Sequence, residues 1–94
     1  MKEEYKDYYK RFLDRYGLTS QINMCIEEMS ELTKALCKSM RDDYKENPKL
    51  LDDIREELAD VLNMVEQLEY YYGVEEIENI RKSKFQRSID RNLI

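Results

Sequence analysis

The chain has 94 residues, 21 of them acidic and 16 basic, for a formal net charge of −5 with 39% of the sequence charged. That length suits one small domain over 1–94, and the acidic balance argues against a nucleic-acid polymer as partner, since phosphate electrostatics drive that binding. With no histidine in the sequence, imidazole bases, the usual zinc sites and the Glu-x-x-His di-iron pattern are excluded.

Two glycines and one proline punctuate what otherwise reads as continuous helix. A first helix runs from about Glu3 to Tyr16 and stops at Gly17. Leu18-Thr19-Ser20 then offers hydroxyl caps to a second helix, whose Ile22, Cys25, Ile26, Met29, Leu32, Thr33, Leu36 and Met40 recur at helical spacing. The polar stretch Arg41–Asn47 reads as a turn. Asn47-Pro48 is a helix start, with Asn as cap and Pro in the first helical position. Leu50, Leu51, Ile54, Leu58, Val61, Leu62, Val65 and Leu68 form the core stripe of the third helix. Gly73 is expected to end it as a left-handed cap. Val74 to about Asn92 forms a fourth helix with acidic residues first and basic residues last, as the helix dipole favours. The expected fold is all-α, a four-helix bundle-like domain with a central antiparallel hairpin, its core completed by oligomerisation because so short a chain buries little surface alone.

Cys25 and Cys37 are twelve residues apart, about 18 Å along one helix, too far for a disulfide. They read as reduced thiols filling apolar space. Met24, Met29, Met40 and Met64 read as core filler. The opening Met1-Lys2-Glu3-Glu4-Tyr5 is polar rather than signal-like, and no apolar run reaches membrane-spanning length, so a cytoplasmic protein with no membrane partner is expected.

Two acidic clusters carry the chemistry: Glu27-Glu28-x-x-Glu31 in the second helix and Glu56-Glu57-x-x-Asp60 in the third. Carboxylates three apart share a helix face. On helical wheels at about 100° per residue, Glu28 and Glu57 flank their apolar stripes, Asp60 lies further round, and Glu31 further still. Glu31 is nine residues before Met40 and Glu57 nine after Pro48; Glu28 and Asp60 are each twelve away. An antiparallel hairpin therefore levels Glu31 with Glu57, and Glu28 with Asp60, at about 14 and 18 Å above the turn. Like charges at such spacing raise one another's pKa or need a counter-charge, since each close pair repels by on the order of a few kcal/mol. Few Lys or Arg side chains lie within these pairs. Mg2+, or Mn2+, is the natural partner for a set of carboxylates and water. The competing reading is a solvated helix face, because Glu-x-x-Glu arises readily in so acidic a chain.

Taken in order, Gln21, Glu27-Glu28-x-x-Glu31-Leu32 and Glu56-Glu57-Leu58-Ala59-Asp60-Val61 resemble the MazG-like all-α nucleoside triphosphate pyrophosphohydrolases, whose pattern is EExxE, a helical turnaround and ExxD. The basic tail Lys84, Arg87 and Arg91 is similar to that of small bacterial and phage members, and the likeness spans about Tyr16 to Arg91. The resemblance implies cleavage of a nucleoside triphosphate to the monophosphate and pyrophosphate. It also implies Mg2+ on Glu28, Glu31, Glu57 and Asp60, and a homodimer or homotetramer. Without a tryptophan or an extra domain, base recognition stays open.

Within that frame Glu27 is the candidate general base, with Glu56 as its competitor. Asn63, three residues after Asp60, either bonds substrate or is plain surface. Lys38, two turns after Glu31, either reaches a phosphate or is solvated. Lys84, Arg87 and Arg91 form one stripe, suited to phosphate oxygens or to the helix C-terminus. Tyr5, Tyr8, Tyr9, Phe12 and Tyr16 follow helical spacing and read as packing or subunit contact, with base stacking as the alternative. Two other functions remain open: a non-catalytic helical adaptor, and a phosphoribosyl-nucleotide pyrophosphohydrolase.

Overall fold

The computed structural model of the chain describes residues 1–41 and 47–94. Four α-helices account for the structure: α1 (Glu3–Tyr16), α2 (Leu18–Arg41), α3 (Pro48–Tyr72) and α4 (Val74–Asp90). The all-α expectation holds. The turn expected over Arg41–Asn47 lies mostly outside the described residues; Arg41 itself still belongs to α2.

The helix ends follow local chemistry. Asn47 Oδ1 accepts from the Lys49 amide at 3.1 Å, so the third helix starts at its side-chain cap with Pro48 first. The hydroxyl caps expected for α2 are not used. The helix begins directly after Gly17, whose carbonyl accepts from the Gln21 amide at 3.1 Å, so Thr19 and Ser20 lie inside the first turn. Gly73 ends α3 with a positive φ of 120°, but its ψ of 107° lies outside the left-handed helical region. The left-handed cap expectation is corrected to a sharper break, and a Cβ there would run into the Glu76 carboxylate. α4 ends at Asp90, two residues short of the expected Asn92.

The main packing is α2 on α3 as a hairpin, α1 lies against both, and α4 touches only α3 among the described residues. Tyr9 fastens α1 by donating from its hydroxyl to Glu66 Oε2 at 2.5 Å. The molecule is open, with a radius of gyration of 16.2 Å where a compact chain of this length has about 12 Å.

Burial follows only part of the apolar pattern: Cys25 and Leu50 are buried and Ile22, Leu32, Leu51, Ile54, Val61 and Leu68 half-buried. The buried residues among those described are Tyr9, Gln21, Cys25, Leu50 and Gln67. Ile26, Met29, Leu36 and Met40 of α2 and Leu58, Leu62 and Val65 of α3 are exposed, although their spacing marks them as core. The reason is geometric: at about 100° per residue, Leu58, Leu62 and Val65 lie across α3 from Asp60, on a side that no helix among the described residues covers. Met24 is exposed for want of a cover as well, so only Met64, half-buried, is partly enclosed among the four methionines expected to fill the core. Cys25 is buried, whereas Cys37 is exposed and fills no space. No helix among the described residues is long and apolar enough to cross a membrane.

Candidate metal centre

Glu28 sits on α2, Glu57 and Asp60 on α3, and the hairpin brings one carboxylate oxygen of each within 4.8 Å of the others. Glu28 and Glu57 are half-buried; Asp60 is exposed. Among the described residues the nearby basic side chains pair elsewhere, Lys34 with Glu31, Lys49 with Asp53 and Arg55 with Asp52. Glu57 Oε2 is closed off from solvent and has no hydrogen-bond partner among the described residues.

The electrostatics follow from that geometry. The Glu28 carboxyl is pushed above the usual carboxylate range, first by burial and then by the charges of Asp60, Glu57, Glu31 and Glu27. Glu57 is pushed the same way by burial, then by Asp60, Glu31, Glu56 and Asp53. A divalent cation reverses both effects, because it supplies the counter-charge and a partner for the orphaned oxygen. Three hard oxygen donors with one open side fit Mg2+ or Mn2+ and leave room for water.

Two cavities flank the trio. One, of about 380 Å³, lies between α1 and the hairpin. It is lined by the apolar and aromatic side chains of Tyr5, Tyr8, Tyr9, Phe12 and Met64 and by the polar ones of Glu28, Asp60, Asn63 and Gln67. The other, of about 330 Å³, holds Glu57 with Glu31, Asp53, Lys34 and Lys38. The carboxylates thus form a divide between an aromatic hollow and a lysine-edged one.

The sequence-derived residues distribute unevenly over this arrangement. Glu28, Glu57 and Asp60 meet. Glu31 stays outside the trio, exposed, with its carboxylate 3.4 Å from Lys34 Nζ, yet its charge is felt by both glutamates. Asn63 joins the aromatic cavity and Lys38 the lysine-edged one. Glu27 and Glu56 are exposed and beside the trio only in sequence. Lys84, Arg87 and Arg91 line neither cavity, because α4 leaves α3 at Gly73 and does not return to the hairpin's acidic end.

Three residues escaped the sequence reading: Gln67, which is 2% exposed, and Lys34 and Asp53, which line the second cavity; Gln21, named there only as part of the motif, is 4% exposed. A signal for the glutamines was present: Gln67 is seven residues after Asp60 and Gln21 seven before Glu28, so each continues a carboxylate face by two turns.

No family model, no curated protein and no solved structure matches the chain.

Proposed function

We propose that the chain is a Mg2+-dependent nucleoside triphosphate pyrophosphohydrolase, with Mn2+ as a substitute ion, acting as a homo-oligomer. The observation that carries the reading is the trio itself: three carboxylates from two helices within 4.8 Å, one oxygen enclosed and unbonded. Like charges held this close without a cation oppose folding. The resemblance of the EExxE and ExxD pattern to the MazG-like enzymes supports the same conclusion.

Glu28, Glu57 and Asp60 would hold the ion, and the charge of Glu31, felt by both Glu28 and Glu57, would add to the field that attracts it. The ion supplies Lewis acidity, neutralising phosphate charge and lowering the pKa of bound water. Lys34 and Lys38, across the divide from the aromatic hollow, attract the pyrophosphate portion. Glu27, exposed beside Glu28, accepts the proton of the water that attacks the α-phosphorus. Asn63 hydrogen-bonds the sugar or the base. Lys84, Arg87 and Arg91 lie away from the trio in a single copy and serve a phosphate only across a subunit boundary.

A panel of nucleoside triphosphates and phosphoribosyl-nucleotides, with pyrophosphate detection, tests the proposal. Mg2+-dependent pyrophosphate release from a triphosphate supports it. Release only from a phosphoribosyl-nucleotide reassigns the substrate. A second reading, a helical adaptor, is favoured by the uncovered apolar side of α2 and α3. It predicts no pyrophosphate from any nucleotide and no change in melting temperature with Mg2+. The enzyme reading predicts a rise of on the order of 10–20 °C at a hundred times the dissociation constant.

A further inference from the structure

We propose that the aromatic cavity between α1 and α3 seats a nucleobase, and that Gln67 reads the hydrogen-bonding edge of that base. This rests on the pyrophosphohydrolase reading of the neighbouring carboxylates and adds to it the part of the substrate that the metal does not touch.

The cavity is about 380 Å³ and has two kinds of lining. Glu28 and Asp60 are its acidic part, where the phosphates and sugar approach. Tyr5, Tyr8, Tyr9, Phe12 and Met64 are its apolar part. Tyr8 and Phe12 are one turn apart on α1, line the cavity and are 53% and 49% exposed, so aromatic surface is accessible to a ligand there. Stacking on such rings tolerates any base, because every base has a π-face. Tyr9 is a wall with no donor to spare, since its one hydroxyl hydrogen goes to Glu66 at 2.5 Å.

Gln67 supplies the independent observation. It is 2% exposed, it lines this cavity, and its Oε1 has no hydrogen-bond partner among the described residues. An enclosed carbonyl without a donor destabilises a fold unless something else bonds it. Leucine would fill the same space at no such cost, so the amide is spent on a ligand. A primary amide carries a donor and an acceptor side by side, and each nucleobase presents an N–H beside an acceptor on its pairing edge. Rotation about the last side-chain bond exchanges the two ends of the amide. Either end then meets the ligand, and the carbonyl acquires its missing donor.

The test uses the full chain, in EDTA, titrated with the four ribonucleoside 5′-monophosphates and with ribose 5-phosphate. The monophosphates are expected to bind, and ribose 5-phosphate at least about tenfold more weakly. Gln67→Leu lowers monophosphate affinity roughly tenfold, melts at or above the wild-type temperature, and keeps the wild-type melting shift with Mg2+. Phe12→Ala, at an exposed position where folding is not in question, lowers affinity at least about fivefold. Equal binding of ribose 5-phosphate and the monophosphates overturns the proposal. So does wild-type affinity in Phe12→Ala, or in a folded Gln67→Leu. Base-dependent binding without any Mg2+ shift removes the hydrolase reading and leaves the base seat standing. An intact Mg2+ shift without base-dependent binding does the reverse.

Discussion

The two sides of the α2–α3 hairpin invert the usual relation between polarity and burial. The side that carries the acidic trio half-buries Glu28 and Glu57 and encloses Gln67, and the side turned away leaves Ile26, Leu58, Leu62 and Val65 in solvent. A chain that only had to fold would exchange them, since each buried apolar side chain contributes about 1.5–3 kcal/mol and each enclosed polar atom without a partner costs about 1–3 kcal/mol. The two departures have different physical causes. On the front, crowded oxygens and an amide oxygen without a donor oppose folding, which the proposed cation and nucleotide would relieve. On the back, apolar surface lies open to solvent, where the proposed second copy would bury it, and the radius of gyration is 16.2 Å.

The largest expected effect comes from the front. Glu57→Gln keeps the shape and removes the charge that the ion needs. Turnover should fall by more than about a hundredfold, beyond the 10–100-fold typical of groups that merely support metal ligands. The metal-free variant should melt above wild type, because repulsion within the trio is relieved. An initial-rate assay paired with a melting curve in EDTA reads both. A variant within tenfold of wild-type turnover would break the contrast by making the trio an ordinary acidic surface.

The back is probed next. Leu62→Glu places a charge where a second copy is expected to bury Leu62. Burying an unpaired charge costs about 3–5 kcal/mol, which weakens assembly by a hundredfold or more. Sedimentation should show wild type as a dimer or tetramer and the variant as a monomer at micromolar concentration. Should wild type sediment as a monomer with the same melting temperature as Leu62→Glu, the back is bare by nature and the comparison loses half its content.

Much of the fold was legible because its boundaries are local. Gly17, Asn47-Pro48 and Gly73 each set a helix end through a backbone property of that residue type. Glu28, Glu57 and Asp60 were legible for a similar reason: helical rise and a hairpin fix heights, whatever the tertiary detail. What failed is not local. Periodicity groups Ile26 with Cys25 and Leu62 with Val61, but which flank of a broad apolar stripe is covered depends on where α1 docks. Glu31 matched in height, yet rotation about α2 turned it toward Lys34. Gln67 was passed over because a glutamine on a charged helix looks solvated until Tyr5, Tyr9 and Met64 are seen closing around it. Lys84, Arg87 and Arg91 are a legible stripe, but their distance from the trio is set by the exit of α4 at Gly73.

The smallest effect is the dependence on pH, and its sign separates an empty centre from a filled one. Burial, followed by the charge of Asp60, holds both Glu28 and Glu57 above the usual carboxylate range in the folded chain. The folded state therefore binds protons more tightly there than the unfolded state does. The stability this contributes is complete below the unfolded carboxylate range and is lost as pH rises through the raised folded values. Glu69 is raised as well, chiefly by burial, and acts in the same direction. Glu78, held low first by its bond to Arg81, acts in the opposite one, with stability that is lost as pH falls. Subtracting the curve of Glu57→Gln from that of wild type cancels both Glu69 and Glu78. In EDTA the remaining difference should show wild type losing ground to the variant as pH climbs upward from the ordinary carboxylate range. With saturating Mg2+ the difference should change sign, because the ion binds only deprotonated carboxylates and its stabilisation grows with pH. A difference curve that is flat in both buffers would mean that Glu57 feels neither its neighbours nor an ion, and the contrast between the two sides of the hairpin would then rest on the apolar back alone.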